Sequence, residues 1–572
     1  MSARTPELPI ERPEATFPAL TDEQVRCIEP FGEQLVLPAG AMLYRRGDRD
    51  IAFFVILEGE AEAFGVDRYG NEQVYVVLDA RNFTGELNLF SNARSLVSTR
   101  AVTPLRVLRV ERKGLRRVIN TEPELGEILL RAFVLRRGTF IRIGRAGISI
   151  IGDPRDSRTL ELRQFLTRNG YPHEVVGPDV PGDDGRTARA CLSLEGDDLP
   201  AVWDGKQLLL KNPSLLELSQ ALGLQDELSP EHAFDVAIVG AGPAGLSAAV
   251  YASSEGLDTI LIDTFGPGGQ AGTSSRIENY LGFPNGLTGQ DLASRAQIQA
   301  VKFGVHLSVA RAVVGIRTME DGLFELAMNE GAPAHARAVI VASGAAYRRL
   351  DIPESSRFDG HGVYYAATAM EAELCRREEV VVVGGGNSAG QAAVYLSNTS
   401  SKVIMLVRGR NLAASMSSYL VERIAASPRI ELHFESEITR LIGNRTLEAV
   451  EWRQRGDKAP RTSPIRAVFV MIGAVPNTSW LQGCVELDAK GFVATGVASG
   501  APHPSPFETT RPGIFAVGDV RSGSVKRVAS AVGEGSVVLQ WVHDYLSHEQ
   551  LPSSPREPAP PPPRETAHHI PA

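Results

Sequence analysis

Two glycine-rich turns, each placed between a buried strand and a helix, constrain the fold of this chain more than any other feature. The first turn, residues 240–245 (GAGPAG), follows the apolar run FDVAIV and precedes the helical pattern LSAAVYASSEG. The next strand, DTILID, ends at Asp263, whose carboxylate suits ribose hydroxyls. Gly240 permits the tight turn, Gly242 lets a pyrophosphate approach the backbone, and Gly245 lets the helix pack on the strand. The pattern predicts a dinucleotide-binding unit, and it explains an apolar stretch that approaches the length of a membrane span.

A second turn of the same kind predicts a second unit. Residues 384–389 (GGGNSA) lie between the strand EVVVV and the helical pattern GQAAVYLSN, and the strand KVIMLV follows. Arg408 and Arg410 come directly after that strand, and the apolar Val407 stands where an NAD-selective site has a carboxylate. Guanidinium groups suit a 2′-phosphate, so NADPH is favoured over NADH; the alternative is that both arginines only cover an exposed strand end. The expected contacts are Gly384, Gly386, Asn387, Ser388, Ala389, Arg408 and Arg410.

Four further segments complete a family resemblance. They are similar to the flavin-contacting loops of low-molecular-weight thioredoxin reductases: residues 266–270 (GPGGQ), 277–284 (IENYLGFP), 342–345 (ASGA) and 515–520 (FAVGDV). Residues 234–546 resemble that family, in which the second unit is inserted in the first, so the resemblance implies FAD and NADPH. Residues 526–528 (KRV) replace the family's Arg-Gln-Ala, which retains a cation but puts the contacts to the flavin ring in doubt. The implied FAD contacts are Gly240, Gly242, Pro243, Ala244, Gly245, Asp263, Gly269, Gln270, Asn279, Gly344, Gly518, Asp519, Lys526, Arg527 and Val528.

The dithiol of that family is missing from this chain. In thioredoxin reductases a Cys-Ala-Thr-Cys motif passes electrons from flavin to a disulfide, and an acid follows it directly. Here Ala366 and Ala369 occupy both sulfur positions, and Met370 stands where the acid would be. Cys375 has no nearby thiol with which to exchange disulfides, and Glu371 is interpreted as a charge on a helix surface. No catalytic side chain is therefore predicted.

The resemblance then implies hydride transfer from NADPH to FAD, with hinges near residues 348–352 and 473–477. The acceptor stays open among ferredoxin-like carriers, quinones, dioxygen and a partner that brings its own disulfide. Two alternatives compete with a flavin oxidoreductase that has a non-dithiol acceptor. One is a non-enzymatic sensor, in which the flavin or nucleotide state changes the posture of the N-terminal domains. The other is a thioredoxin-disulfide reductase that relies on an external thiol protein.

Residues 21–142 show short apolar runs broken by glycine turns, which predict a small antiparallel roll with closing helices. The segment resembles the cyclic-nucleotide-binding domain. In that family a short helix and an arginine hold the cyclic phosphate, while a glutamate takes the ribose hydroxyl. Gly85 and Glu86 match, but Arg94 comes one residue early and Ser95 takes the usual arginine position. A structural or protein-contact role is therefore favoured over cyclic-nucleotide binding.

Residues 143–228 look like a thioredoxin or glutaredoxin fold: a strand, a helix, a strand, then a hairpin and a helix. The dipeptide Leu199-Pro200 falls where that family keeps a cis-proline. The redox chemistry of the fold needs a thiolate at a helix start, and residues 153–157 (DPRDS) have none. A domain without cysteines, acting as a spacer or docking surface, is expected.

Composition and charge argue against nucleic acid, metal ions and membranes as partners of this chain. A formal net charge of −9 gives no basic footprint for nucleic acid. The four cysteines, Cys27, Cys191, Cys375 and Cys484, are far apart and read as reduced thiols, with no spacing that suits a metal. The polar first residues lack the apolar core of a signal peptide, so a cytoplasmic protein without membrane contact is expected, and a homodimer with it.

The sequence thus predicts a multidomain chain that ends in two nested, three-layer Rossmann-type α/β domains. In order, the expected parts are a disordered tail (1–20), a cyclic-nucleotide-binding-like domain (21–142), a thioredoxin-like domain (143–228), the first part of an FAD domain (229–350), an NAD(P)H domain (351–475), the second part of the FAD domain (476–549) and a proline-rich disordered tail (550–572).

Overall fold

The computed structural model describes most of the chain. The described residues are 13–66, 72–85, 89, 94–143, 147–181, 186–205, 208–226, 228–274, 276–353, 355–444, 446–499 and 505–548. The first helix is α1 (Pro13–Thr16), and Thr16 and Leu20 are both buried. The prediction of a disordered tail over residues 1–20 is therefore wrong for residues 13–20. The predicted tail at 550–572 lies outside the described residues.

The N-terminal domain consists of two small antiparallel sheets closed by helices. Its elements after α1 are α2 (Asp22–Ile28), β1 (Glu33–Leu37), β2 (Met42–Tyr44), β3 (Phe53–Glu58), β4 (Ala61–Val66), β5 (Glu72–Leu78), β6 (Ser98–Ala101), β7 (Leu105–Val110), α3 (Arg112–Thr121) and α4 (Pro123–Ile143). One sheet has the order β1-β7-β3 and the other β2-β6-β4-β5. The rings of Phe53, Phe83 and Phe133 contact one another in the core, and all three side chains are fully buried. This is the predicted roll with closing helices.

The middle domain is a four-stranded sheet with helices. Its elements are β8 (Ile148–Ile151), α5 (Ser157–Arg168), β9 (His173–Val176), α6 (Ala188–Cys191), β10 (Ala201–Trp203), β11 (Leu209–Lys211) and α7 (Leu215–Leu222). The strand order is β11-β10-β8-β9, with β8 and β9 parallel, and the Leu199–Pro200 bond is cis. The Asp156 carboxylate accepts the backbone N–H groups of Arg158 and Thr159, which fixes the start of α5. Cys191 is exposed in α6, so the prediction of a domain without cysteines is wrong; the thiol is missing only from the start of α5.

A mainly parallel sheet follows the middle domain. Its elements are β12 (Ala233–Val239), α8 (Pro243–Ser254), β13 (Thr259–Ile262), α9 (Gly289–Phe303), β14 (His306–Ser308), β15 (Val313–Thr318), β16 (Phe324–Met328) and β17 (Ala334–Val341), and β18 (Ala345–Tyr347) leaves it. The order is β14-β13-β12-β17-β16-β15. The strands β12, β13, β14 and β17 run parallel, so their carboxyl ends lie at one edge of the sheet.

A second parallel sheet forms the inserted domain. Its elements are β19 (Val363–Tyr364), α10 (Ala369–Leu374), β20 (Glu379–Val383), α11 (Asn387–Leu396), β21 (Lys402–Val407), α12 (Ser418–Ala426), β22 (Ile430–Phe434), β23 (Ser436–Gly443), β24 (Leu447–Gln454), β25 (Arg461–Ser463) and β26 (Val468–Val470). The parallel order is β19-β26-β20-β21-β22, and β23, β24 and β25 form an antiparallel sheet beside it.

The chain then returns to the first sheet through β27 (Ala474–Pro476), β28 (Ile514–Ala516) and α13 (Val528–His548). Strand β28 pairs with β17 in parallel, and β27 pairs with β18 in a two-stranded antiparallel ribbon. The ribbon is where the chain enters and leaves the inserted domain. Of the helices that the structure describes, none combines the length and the apolar character of a membrane span.

Candidate functional site

The first glycine turn joins β12 to α8 and leaves room for a bound group. Gly240 has φ +109°, and a Cβ there would overlap the Ala342 carbonyl oxygen, so another residue would strain the turn. A Cβ on Gly245 would overlap the Gly240 carbonyl oxygen. Gly242 caps α8 and faces Gly269, where a Cβ would come within 3.0 Å of the Gly242 Cα. Two bare backbones at a helix start suit a pyrophosphate. The next residues of the turn begin α8: Pro243 and Ala244.

The Asp263 carboxylate ties this turn to the loop that follows β13. Its Oδ2 accepts the N–H of Ala241 at 2.7 Å, and its Oδ1 accepts those of Phe265 and Gly266, each at 2.8 Å. These bonds hold the loop carrying Gly269, a role that the sequence did not predict. Binding of ribose hydroxyls by Asp263 stays a prediction.

The structure brings together only some of the residues that the sequence predicts to contact the flavin. The Gln270 side-chain amide donates to the Ala345 carbonyl oxygen, which joins the glycine loop to β18. Gly344, with φ +62°, is adjacent, and a Cβ there would meet no atom within 4 Å. Asn279, by contrast, is exposed.

The last predicted flavin motif surrounds a partly buried carboxyl. Burial raises the pKa of Asp519; the Lys526 ammonium opposes this, and the Glu534 carboxylate adds to it. Glu534, which the sequence analysis missed, accepts the Gly518 N–H at 2.7 Å. Lys526 is exposed, with its Nζ 4.3 Å from the Phe492 ring centroid. The remaining predicted residues lie at the start of α13: Arg527 and Val528.

Tyr347 and Thr273 form a further pair of candidates that the sequence analysis missed. Their hydroxyl oxygens are 3.0 Å apart, and burial raises the pKa of Tyr347. The Asp519 charge also acts on Tyr347, so a neutral phenol lies near that carboxyl. Its position two residues after the ASGA motif was the signal available in the sequence.

The second glycine turn repeats the geometry of the first. Gly384 has φ +141°, and a Cβ there would overlap the Met471 carbonyl oxygen. Gly386 caps α11, and the Asn387 Oδ1 accepts the Ser417 N–H at 2.7 Å. Two predicted residues follow on the first turn of α11, the first exposed and the second buried: Ser388 and Ala389.

The two arginines after β21 differ in their surroundings. Both Arg408 and Arg410 are exposed. Arg410 Nε lies 3.1 Å from a Glu435 oxygen, which also pairs with Arg455 at 3.0 Å. The structure shows no ion pair between Arg408 and a described residue. Arg408 is therefore the better placed of the two to meet a phosphate.

The position of the missing dithiol lies at the start of α10. Ala366 is half-buried, and Ala369 is the first residue of the helix. Glu371 is 4% exposed, so the interpretation as a surface charge is wrong. Its carboxylate accepts the Thr368 N–H and the Gln164 amide of the middle domain, both at 3.0 Å, as well as the Thr368 hydroxyl. The glutamate is a buried group that accepts three hydrogen bonds.

The cysteines supply no substitute relay among the described residues. All four are unpaired. Cys375 is buried, and burial raises the pKa of its thiol to about 12, with Glu378 and Glu371 adding to the effect. Such a thiol stays protonated at neutral pH and is a poor nucleophile. Cys484 lies in a different domain, 3.3 Å from an Arg511 guanidinium nitrogen.

The roll encloses a cavity of about 40 Å³. Gly85 and Ser95 line it, together with aromatic side chains that include Tyr44 and Tyr75. Arg94 does not line it; its guanidinium donates to the Gly47 carbonyl oxygen at 3.4 Å. Glu86 lies outside the described residues. The displacement of Arg94 agrees with its shifted position in the sequence.

Comparisons with known proteins give two matches. Residues 234–535 match the family described as pyridine nucleotide-disulphide oxidoreductase, and residues 34–122 match the cyclic nucleotide-binding domain. A thioredoxin reductase of Listeria innocua is 31% identical over 324 residues, 56% of this chain and 95% of that protein. An alkyl hydroperoxide reductase component of Pseudomonas putida is 30% identical over 331 residues, 57% of this chain and 61% of that protein. The thioredoxin reductase structure of Lactococcus lactis in the FR conformation has a TM-score of 0.50 at 27% identity, covering 55% of this chain and 99% of its own.

Proposed function

Because the chain belongs to the pyridine nucleotide-disulphide oxidoreductase family, we propose that it passes electrons from NADPH through FAD to an acceptor other than a dithiol of its own. The resemblances to thioredoxin reductases and to the cyclic-nucleotide-binding domain are confirmed. Enzymes of the thioredoxin reductase class use NAD(P)H and a flavin, so FAD and NADPH are the cofactors. The acceptor is the proposed part.

The replacement of both sulfurs by Ala366 and Ala369 carries this proposal. A dithiol relay needs two thiols within bonding distance, and the buried Cys375 has a protonated thiol and no described partner. The two glycine turns, by contrast, keep the bare backbone that each dinucleotide needs. The chain thus retains the machinery for accepting a hydride and lacks that for handing it to a disulfide.

The residues present fit the two cofactors. The bare backbones of Gly242 and Gly269 would hold the pyrophosphate of FAD, and the start of α11 with Arg408 would hold NADPH. When bound, FAD supplies the two-electron chemistry that no side chain of this site offers. The Asp519 carboxyl and the Tyr347 hydroxyl provide polar groups beside the predicted flavin loop.

The β18–β27 ribbon gives the inserted domain a place to turn. The ribbon is short, since only residues 345–347 and 474–476 pair in it. An ion pair between Arg423 of α12 and Glu278, at 2.7 Å, links the inserted domain to the loop before α9. Such an exposed pair is weak in water, so it would not by itself prevent rotation of the inserted domain.

Rapid mixing of the holoprotein with NADPH tests the proposal. We expect the protein to be yellow and its flavin absorbance to bleach on mixing. A screen of quinones, dioxygen and ferredoxin-like carriers then identifies which acceptor restores the colour. Fast bleaching with no active acceptor favours a sensor, and activity only with an added thiol protein favours an external disulfide reductase. Colourless protein that takes up no flavin contradicts the proposal. Light scattering of the same holoprotein measures the expected homodimer.

A further inference from the structure

Helix α5 of the middle domain lies between the two dinucleotide domains. Toward the inserted domain, the Gln164 amide donates to the Glu371 carboxylate of α10 at 3.0 Å. Toward the first sheet, the Gln290 amide of α9 donates to the Thr167 carbonyl oxygen at 3.2 Å. One helix therefore contacts both domains, and its contact with the inserted domain lies on α10, the helix that begins at Ala369.

The end of α5 is packed on the loop that follows β13. The rings of Phe165 and Phe265 meet edge to face, with centroids 5.7 Å apart, and Phe165 is fully buried. The Asn169 amide, 6% exposed, donates to the Phe265 carbonyl oxygen at 3.1 Å. Asp263 holds the same loop from its other side. The loop with Gly269 is thus fixed by two domains.

Arg168, the last residue of α5, carries a positive charge into this junction. Its guanidinium lies over the Phe265 ring, 5.2 Å from the centroid. Burial lowers the pKa of Arg168, and the charges of Asp263, Tyr347 and Glu371 act on it from three separate segments. No carboxylate among the described residues comes within ion-pair distance of this guanidinium. A half-buried cation without a paired anion is costly, which points to an anion that binds there.

We propose that α5 is part of the FAD site and that Arg168 supplies a positive charge to the pyrophosphate of that cofactor. The Gly269 loop that α5 packs against faces Gly242 at the start of α8, where the pyrophosphate is expected. A guanidinium forms strong, charge-assisted hydrogen bonds to phosphate oxygens. The residue belongs to a domain outside the family match, which begins at residue 234. The inference rests on the proposed function only in taking FAD as the bound flavin.

Titration of flavin-free protein with FAD, followed by flavin fluorescence, tests this assignment. We expect Arg168→Ala to weaken FAD binding by about tenfold or more, because it loses a charge-assisted hydrogen bond. Arg168→Lys should weaken FAD binding less, because lysine keeps the positive charge. Raising the salt concentration should weaken FAD binding more in the wild-type chain than in Arg168→Ala. Arg189→Ala is the matched control: it removes another arginine of the middle domain, which bonds to the Leu194 carbonyl oxygen.

The outcomes separate this inference from the proposed function. Equal FAD affinity in wild type and Arg168→Ala overturns it, as does an equal loss in Arg189→Ala or a loss confined to NADPH affinity. Unfolding curves of the flavin-free variants show whether Arg168→Ala loses FAD affinity because it no longer folds. If it does not fold, the titration of Arg168→Lys decides. FAD binding by Arg168→Lys with the salt dependence of the wild type supports the assignment, and FAD binding without that salt dependence overturns it. If the wild-type chain binds FAD but NADPH does not reduce it, the proposed function fails while the role of Arg168 stands.

Discussion

Gln164 and Glu371 share a 3.0 Å hydrogen bond across two domains, although 207 residues separate them in the chain. Glu371 is almost completely shielded from solvent, since it is only 4% exposed. Its charge is stabilised by Thr368 on its own helix turn and by an amide from α5. The carboxylate therefore connects the middle domain to the point where the relatives' dithiol would be.

Glu371→Ala should lower the thermal unfolding midpoint, because it leaves the Gln164 amide and the Thr368 N–H without their acceptor. A buried unsatisfied donor costs about 1–3 kcal/mol. Glu373→Ala is the control on the same helix; Glu373 forms an exposed ion pair with Arg376 at 2.7 Å, and little change is expected. Equal midpoints for the two variants would contradict the assigned role of Glu371.

Arg408→Ala should reduce the preference of flavin reduction for NADPH over NADH. Arg410→Ala should have the smaller effect, since Glu435 already partly neutralises Arg410. Stopped-flow bleaching with each nucleotide measures both preferences. Equal wild-type rates with NADPH and NADH would remove the assignment of a 2′-phosphate site.

Cyclic nucleotides should bind weakly or not at all. The roll's cavity holds about 40 Å³, whereas pockets for small-molecule ligands hold about 300–1,000 Å³. Arg94 bonds to Gly47 outside that cavity. Calorimetry with cAMP and cGMP is the measurement. A micromolar or tighter dissociation constant that Glu86→Ala abolishes would show that the domain is a nucleotide receptor after all.

NADPH-driven reduction of DTNB in the presence of thioredoxin should stay near background. The Cys375 thiol, with its pKa raised to about 12, supplies almost no thiolate at neutral pH. Replacing Cys375 and Cys484 with serine should leave that background unchanged. Fast turnover that this double replacement stops would mean that the fold brings together thiols which the described structure keeps apart.

His306→Gln should flatten the pH dependence of stability above pH 6.5. The Asp226 carboxylate, 3.2 Å from His306 Nδ1, raises the pKa of this histidine, with Asp258 adding to the effect, while burial and Arg116 oppose it. A raised folded-state pKa contributes stability that is fully present below the unfolded value of about 6.5 and is lost as the pH rises through the folded value. Unfolding midpoints across that range, compared between wild type and variant, measure the difference. Parallel curves would rule out this contribution.

Features of the fold that depend on a few neighbouring residues could be predicted from the sequence. Gly240 and Gly384 each adopt a positive φ with a carbonyl oxygen at the Cβ position, and that need appears as a motif within a few residues. The positions of Ala366 and Ala369 could likewise be read directly. The antiparallel roll could be predicted from apolar runs and glycine turns, and the order of strands and helices along the middle domain from apolar and helical patterns.

The burial of a residue could not be predicted from the sequence where residues distant in the chain cover it. Nothing near Glu371 indicates that α5 covers it. The burial of Thr16 depends on α4, whose Arg136 donates to the Thr16 carbonyl oxygen at 2.9 Å across 120 residues. Composition alone predicted a disordered tail there, because the segment is rich in prolines and charged residues, as disordered segments are.

The ribbon of β18 and β27 brings the two ends of the inserted domain side by side, with the Arg348 N–H bonded to the Gly473 carbonyl oxygen at 2.9 Å. For the rest of the FAD domain, the whole insertion is therefore equivalent to a tight turn between the two strands of the ribbon. Bringing the two ends of a long segment together costs conformational entropy, and here the ribbon already holds the ends of the insertion together. We expect a short linker in place of the insertion to leave the geometry of the first sheet intact. The ends of the excised segment lie close enough to be joined directly, so each dinucleotide domain has the anatomy of an independent folding unit.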